Sequence, residues 1–231
     1  TTELKKYSVV SVTPEIVDPS IIYVELDSRV YFNQSQTTLN ESQLKAEVVN
    51  SLTSYRSTSD LEKFNGRFKY SRVVGIIDAT DNSITSNETS IKLRKDFNPV
   101  LNTITQYEIC YQNVIKSGCE ESSVYSTGFI VADYPGDVVY LADDQKGNMY
   151  LYKIDPTTKD RFILNAQIGT VDYLKGEVML NRLNIVKGTY SDERIELRAL
   201  PKNKDIYALR EAYLSLDLTS SVFLITKESL I

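Results

Sequence analysis

Three pairs of adjacent carboxylates come closest to a catalytic arrangement in this chain: Glu120-Glu121, Asp143-Asp144 and Asp192-Glu193. Two carboxyl groups held roughly 5–10 Å apart across a cleft are sufficient for hydrolysis of a glycosidic bond. Each pair lies in a predicted turn, however, where solvated acidic side chains are the usual occupants. The pattern therefore favours surface carboxylates over a catalytic pair.

Histidine is absent from all 231 residues of the chain. This removes Ser-His and Cys-His nucleophile pairs, imidazole general bases and every zinc site that uses histidine. Asp78, Asp81 and Asn82 cluster in one stretch, but they lack the ligand spacing and the distal glutamate of a calcium loop. Because the glycine-rich phosphate-binding motifs are also missing, we expect no enzymatic activity, no metal and no cofactor.

Charge and hydropathy exclude two further classes of partner. The chain has 26 Lys plus Arg and 31 Asp plus Glu, a net charge of −5, and no dense basic run that would follow a nucleic-acid backbone. No apolar stretch is long enough for a transmembrane helix.

Cys110 and Cys119 are the two cysteines. Reduced thiols are the favoured interpretation because no secretory signal is present, and a disulfide is the alternative. The absence of such a signal and the initial threonine suggest a fragment of a longer polypeptide.

The first part of the chain has the pattern of a strand, two helices and a second strand. Residues 21–32 alternate, and the face that carries Ile22, Val24 and Leu26 is expected to point inward. Asn40 and Gln43 form a capping box before a helix at residues 41–56, whose polar face either meets solvent, the favoured interpretation, or binds a partner. A second, apolar helix contains Gly75, which suggests close packing there, and residues 91–97 are expected to pair with the first strand.

From residue 104 onward the sequence consists of short strand candidates separated by turn signals. The candidates are residues 104–113, 123–132, 138–142, 149–154, 162–168, 170–173, 177–185, 194–200, 207–217 and 222–226. Pro99 interrupts the pattern before them. We therefore predict an α+β fold with two domains: an α+β layer at residues 1–97 and a mostly antiparallel, β-rich meander or sandwich at residues 98–231.

Three residues are expected to fix turns or strand ends in the second domain. Gly176 closes the hairpin between residues 170–173 and 177–180 and is predicted to adopt a left-handed conformation. Gly147 occupies another turn. Pro201 ends the strand before it, because proline cannot donate a hydrogen bond within a sheet.

The last strand, from residue 222 to the end, carries apolar side chains on both faces. Phe223 and Ile225 lie opposite Val222 and Leu224. A strand so near the terminus is expected at a sheet edge, and Phe223 and Ile225 are candidate interface residues. The alternative, equally favoured, is that both faces are buried within the same chain.

Several of these motifs carry a resemblance to a known family. They are Ile-Gly-Thr-Val-Asp-Tyr at 168–173, Lys175-Gly176, Leu180, Leu183-Asn184, Pro201 and Asp205-Ile206, together with residues 11–15, 67–77 and 143–147. The chain resembles the C-terminal part of the large baseplate wedge proteins of T-even-like contractile-tailed phages, which are related to the baseplate J-like family. The resemblance covers most of the chain.

The resemblance implies a structural virion protein without a cofactor, whose residues 1–97 form the baseplate J-like domain. Such a protein would be assembled in the host cytoplasm and located in the tail baseplate. It would self-associate, as a homodimer within a larger ring around the hub, and contact other baseplate wedge proteins. The alternative is a carbohydrate- or receptor-binding β module, which would need an exposed aromatic platform; the absence of tryptophan disfavours it.

The first prediction concerns metal removal. Because the sequence offers no clustered ligand set, excess EDTA should leave the thermal unfolding midpoint unchanged. Thermal melts followed by circular dichroism, with and without EDTA, measure this directly. A fall of more than a few degrees would contradict the prediction.

Overall fold

The computed structural model of the chain describes residues 20–59, 61–208 and 212–228. The motif at residues 11–15 lies outside the described residues. Within these ranges the chain is mostly β, with two α-helices and one large mixed sheet. This agrees with the β-rich prediction, while the α+β description applies chiefly to the first part of the chain.

The first part of the chain forms the predicted order of elements. These are β1 (Ser20–Phe32), α1 (Glu41–Thr58), β2 (Arg67–Phe68), α2 (Tyr70–Asp78) and β3 (Ile84–Phe97). The strands β1 and β3 pair antiparallel, as expected. The capping box is also confirmed: the Gln43 N–H donates to Asn40 Oδ1 and the Asn40 N–H donates to Gln43 Oε1, both at 2.9 Å.

Gly75 does not mark close packing, contrary to the expectation from sequence. It is exposed on α2, and a Cβ atom added there would have no neighbour within 4 Å. The apolar residues of α2 that pack inward are Val73 and Ile77, which are fully buried. Because glycine weakens a helix interior relative to alanine, its presence here has no explanation in the packing of the described residues.

The second part of the chain supplies eleven further strands among the described residues. They are β4 (Ile104–Cys110), β5 (Val124–Ser126), β6 (Ile130–Val131), β7 (Val139–Asp143), β8 (Asn148–Ile154), β9 (Arg161–Asp172), β10 (Glu177–Lys187), β11 (Ile195–Ala199), β12 (Ile206–Tyr207), β13 (Ala212–Leu216) and β14 (Val222–Lys227). The candidates at 162–168 and 170–173 are thus one strand, and the candidate at 207–217 is two.

The large sheet joins strands from both parts of the chain. Its order is β13-β1-β3-β11-β5-β7-β8-β9-β10-β4, with β14 also pairing β1 and β6 pairing β10. The run β7 to β10 is the predicted antiparallel meander. The strands β13 and β14 instead run parallel to β1, one after the other along its length. Strands on both sides of residue 97 therefore share one sheet, and the division into two domains stays a prediction.

The apolar face of β1 lies in the core, as its alternation predicts. Ile22, Val24 and Leu26 are at most 1% exposed, and the α1 residues Leu44 and Val48 belong to the same cluster. Complete burial of each such side chain stabilises the fold by about 1.5–3 kcal/mol. The opposite face of β1 is not simply solvated, however, since Glu25 on that face is only 4% exposed.

The β9–β10 hairpin has the predicted glycine conformation with a longer loop. Gly176 has φ +71°, and Asp172 pairs with Glu177, so the loop has four residues rather than three. The Asp172 carboxylate accepts hydrogen bonds from the Leu174 and Lys175 N–H groups. The Tyr111 N–H donates to the Gly176 carbonyl at 2.8 Å, which attaches the hairpin to the segment that follows β4.

We predict that Gly176→Val destabilises the protein by about 1–3 kcal/mol, because valine would be forced to positive φ. A Cβ atom at Gly176 would also lie 2.0 Å from the backbone oxygen of Asn113. Gly136→Val is the matched control, since Gly136 has φ +96° but nothing within 4 Å of an added Cβ. Denaturant midpoints should fall further for the first variant than for the second. Equal midpoints for Gly176→Val and the parent protein would refute the turn assignment.

Candidate functional site

A buried cluster of charged side chains lies on the face of the sheet opposite to α1. Its centre is Arg94, which is 4% exposed. Arg94 Nη1 donates to Glu25 Oε1 at 2.8 Å and to Asp217 Oδ2 at 2.6 Å. Arg94 Nε donates to Asp96 Oδ1 at 2.8 Å. One guanidinium group therefore joins β1, β3 and the turn between β13 and β14.

A second guanidinium group extends this cluster to β11. Arg198 Nε donates to Glu25 Oε2 at 2.9 Å, and Arg198 Nη2 donates to Glu196 Oε2 at 2.8 Å. Arg194 Nη2 reaches Glu196 Oε1 at 3.4 Å. We call this set the arginine cluster: Arg94, Arg194, Arg198, Glu25, Asp96, Glu196 and Asp217.

Strand register explains why these residues meet. Arg198 pairs with Arg94 and Glu196 pairs with Asp96 across β11 and β3, so all four side chains share one face. Two guanidinium groups are thereby placed side by side, and the carboxylates between and beside them offset the like charges. The Tyr23 ring, paired with Arg94 across β1 and β3, covers its guanidinium group at 4.3 Å.

The surroundings keep the arginines charged. Burial alone would lower the pKa of Arg94, but its hydrogen bonds to Glu25 and Asp217 and the charge of Asp96 raise that pKa above its usual value. The pKa of Arg198 is raised in the same way by Glu25 and Glu196 against the effect of burial. Both guanidinium groups therefore stay protonated and cannot act as general acids or bases. Their role in the cluster is to bind carboxylates and hold strands together.

The pKa values of Asp96 and Asp217, the two aspartates of the cluster, are shifted in opposite directions. Burial raises the pKa of Asp96, and the nearby Arg94 only partly reverses this. For Asp217 burial also acts to raise the pKa, but the backbone and side chain of Ser220, with Arg94, lower it below its usual value. The Asp217 carboxylate is thus held as an anion at the turn between β13 and β14.

The Asp143-Asp144 pair is structural and only in part solvated. The expectation of a solvated side chain is wrong for Asp143, which is 1% exposed. Its buried carboxylate accepts hydrogen bonds from the Val124 N–H at 2.7 Å and from the Tyr173 hydroxyl at 2.6 Å. Asp144 Oδ1 accepts from the Lys146 and Asn148 N–H groups. These bonds close the turn that contains Gly147, whose φ is +102°.

The structure brings two of the three carboxylate pairs together. Glu120, Glu121, Asp143 and Asp144 line one open cleft of about 710 Å³, which also contains Lys92 and Arg161. Asp192 instead pairs with Arg194 at 3.0 Å, and Glu193 accepts from the Gly188 N–H at 2.7 Å. Within the described ranges, no group of three or more acidic or cysteine side chains is arranged to hold a metal ion.

Pro201 stands where the sequence predicted a strand end. The strand β11 ends at Ala199. The Lys116 N–H donates to Leu200 O and the Lys202 N–H donates to Val114 O, so the backbone on either side of the proline is paired with another segment. Cys110 and Cys119 are both free thiols. Neither helix of the described part of the chain is long and apolar enough to cross a membrane.

The last strand is at a sheet edge, but the side chains it exposes are not the two that were expected at an interface. Phe223 and Ile225 are only 5% and 7% exposed, in the core cluster that also contains α1 residues, whereas Val222 and Leu224 are 55% and 51% exposed. An interface role for Phe223 and Ile225 stays a prediction. The apolar side chains that β14 offers to solvent are those of Val222 and Leu224.

Sequence reasoning missed the arginine cluster. Its signal is the alternation of charges of both signs on β3 and β11, which is visible in Arg194, Glu196 and Arg198. Two adjacent strands that both carry such alternation, with a further carboxylate on β1, could have indicated a shared ionic face. The position of Asp217 had no signal in the local pattern.

The first part of the chain matches a known protein family. Residues 20–96 match the family described as "Baseplate structural protein gp6, C-terminal domain III". This range coincides with the elements from β1 to β3, so this part of the chain is similar to a domain of a baseplate structural protein, and the resemblance inferred from sequence is confirmed.

One protein to which the chain is similar is the baseplate wedge protein gp6 of Enterobacteria phage T4. The chain is 25% identical to it over 123 residues, which is 53% of the chain and 18% of the relative. The chain thus aligns with about a fifth of the length of that protein.

We predict that Arg94→Met destabilises the protein by about 3–5 kcal/mol, because four carboxylates would remain buried or half-buried without their central cation. Lys92→Met is the matched control on the same strand and face. Its ion pair with Asp27 is 3.3 Å long but the two side chains are 28% and 48% exposed, so the expected cost is about 0–1 kcal/mol. Urea denaturation of both variants measures the difference. Similar losses in the two variants would show that the cluster does not stabilise the fold.

Proposed function

We propose that this chain is part of a structural subunit of the tail baseplate of a contractile-tailed phage and acts without enzymatic activity. The observation that carries the proposal is the family match at residues 20–96, whose bounds coincide with the run of elements from β1 to β3. The protein is assembled in the host cytoplasm and resides in the virion baseplate. The wedge protein of phage T4 is the similar protein that motivates this location.

The arginine cluster supports a structural role. It joins β1, β3, β11 and the β13–β14 turn through side-chain bonds of 2.6–2.9 Å. Residues from Glu25 to Asp217 are connected in this way across most of the chain. Charge-assisted bonds of this kind suit a structural role, since they are short, directional and individually stronger than neutral hydrogen bonds.

We further propose that the chain self-associates, as a homodimer within a larger ring around the hub, and contacts other baseplate wedge proteins. Two features support association through apolar rather than charged surface. Exposed charges of both signs are mixed over the chain, whose net charge is −5. The strand β14 places Val222 and Leu224 in solvent at a sheet edge.

The carbohydrate- or receptor-binding alternative gains no support from the tyrosines. The largest group of neighbouring aromatic rings among the described residues is Tyr140, Tyr150 and Tyr152, with ring centroids 5.5–5.6 Å apart. Tyr152 is only 5% exposed, and Arg161 lies over its ring at 5.0 Å. A sugar needs an accessible aromatic face, so we do not extend the proposal to this function.

We predict that the mass of the protein measured by analytical ultracentrifugation rises above that of a monomer at high micromolar concentration. The association should be equally strong at about 0.1 M and about 1 M ionic strength, because salt screens exposed charges and leaves apolar burial largely intact. A monomer under both conditions would refute self-association of this chain. A dimer that dissociates in high salt would refute the apolar interface and leave self-association standing.

A further inference from the structure

The large sheet protects one of its edges with its own side chains. Along β13, Glu62 Oε1 accepts from the Leu216 N–H at 3.1 Å and from the Ser215 hydroxyl at 3.0 Å. The Tyr213 hydroxyl donates to the Glu62 carbonyl at 2.5 Å, and Phe64 forms a β-bridge with Tyr213. The segment that follows α1 therefore covers the outer edge of β13.

Two other unpaired edges are irregular or charged. The first half of β9 lacks a second neighbouring strand among the described residues, but its pairing with β8 is interrupted by two register shifts. The strand β4 at the far end of the sheet carries Glu108, and its register with β10 shifts between Leu180 and Leu183. Bulges and charges of this kind prevent a foreign strand from pairing.

Within the described ranges, the strand β14 has no covering segment on its outer edge and no bulge. Its parallel register with β1 runs without a shift from Asp27↔Val222 to Phe32↔Lys227. Residues 218–226 contain no charged side chain and no proline. Lys227, at the end of β14, is the one charged residue of the strand. A regular edge that is apolar over most of its length is the kind that other proteins use to bind a further strand.

The N–H and C=O groups of β14 point alternately toward β1 and away from it. The Glu228 N–H donates to the Phe32 carbonyl at 2.9 Å, so residue 228 faces β1. Because successive residues of a strand direct their N–H and C=O groups to opposite edges, those of Phe223 and Ile225 face away from β1. Among the described residues these groups have no hydrogen-bond partner outside the strand. They offer two donors and two acceptors to a further strand.

We propose that β14 pairs antiparallel with β14 of a second copy of the chain, about a two-fold axis at Leu224. This inference rests on the proposed self-association and names the surface that mediates it. In this register Phe223 lies opposite the partner's Ile225 and exchanges both backbone hydrogen bonds with it. Leu224 lies opposite the partner's Leu224 on the exposed face, and Val222 lies opposite the partner's Thr226.

Charge and polarity favour a second copy as the occupant. An isologous contact places the same strand on both sides, so each outward N–H meets an outward C=O without any further adjustment. The one charged residue of the strand, Lys227, lies opposite the partner's Ser221, and no like charges face each other. The exposed side chains of Val222 and Leu224 are buried together, which removes apolar surface from water.

The first test compares two lysine variants in the whole chain. Leu224→Lys would place two like charges against each other at the axis, so the dimer should be lost at protein concentrations at which the parent is dimeric. Leu174→Lys is the control, since Leu174 is 78% exposed in the β9–β10 turn and is absent from the proposed interface. It should keep the parent's mass. Circular dichroism melts of both variants confirm folding.

The second test uses cysteine cross-linking after Cys110→Ser and Cys119→Ser have removed the native thiols. The two Leu224 residues form a pair without hydrogen bonds between them, whose Cα atoms are about 4.5 Å apart, within the range for a disulfide. Leu224→Cys should therefore give a covalent dimer on mild oxidation. Val222→Cys is the matched control on the same face, because its two copies would be roughly 13 Å apart along the strands.

The outcomes separate this inference from the proposed function. If the parent and Leu224→Lys are both dimeric and Leu224→Cys does not cross-link, the interface lies elsewhere, and self-association stands while this inference falls. If the parent is monomeric at every concentration, both fall. If the Val222→Cys variant cross-links as readily as Leu224→Cys, the two-fold register is wrong. Loss of the dimer only in Leu224→Lys, with selective cross-linking at Leu224, supports the inference.

Discussion

The buried charge of Arg94 is the constraint on which the arrangement of the sheet depends. A guanidinium group remains protonated at any accessible pH, so its burial can be compensated only by carboxylates and hydrogen-bond acceptors. In this chain they come from β1, β3, β11 and the β13–β14 turn. Glu25 and Asp217, which are far apart in the sequence, therefore both contact the Arg94 side chain. The Asp217 contact fixes the turn from which β14 continues along β1.

The cluster also specifies strand register. Because side chains alternate between the faces of a strand, a shift of one residue in β1 would move Glu25 toward the apolar core under α1 and place Val24 or Leu26 among charges. The apolar face and the charged face of β1 therefore both disfavour a shift of one residue in its register. Apolar residues of similar volume can stabilise a protein as well as buried ion pairs do. The distinctive effect of the cluster is therefore its selection of one register and its attachment of the β13–β14 turn.

The unit that matches the baseplate family is completed by strands from the other end of the chain. Residues 20–96 supply β1 and β3, but the neighbours of these strands are β11 on one side and β13 and β14 on the other. Glu62 and Phe64, within the matching range, cover the edge of β13. Within the described part of the chain, the edge of β14 beside it is regular and carries one charged residue, Lys227. This edge is the one that we propose pairs with a second copy of the chain.

The sequence by itself determined the features that depend on neighbours along the chain: the alternation of β1, the capping box of Asn40 and Gln43, the left-handed Gly176 and most of the strand positions. It also predicted the pairing of β1 with β3. It did not predict the burial of Glu25 and Asp143, the open surroundings of Gly75 or the parallel pairing of β13 and β14 with β1. The physical reason is that periodicity shows which residues share a face, whereas the groups that cover that face come from distant segments. Only the tertiary structure decides whether an alternating charge meets water or a buried partner of opposite sign.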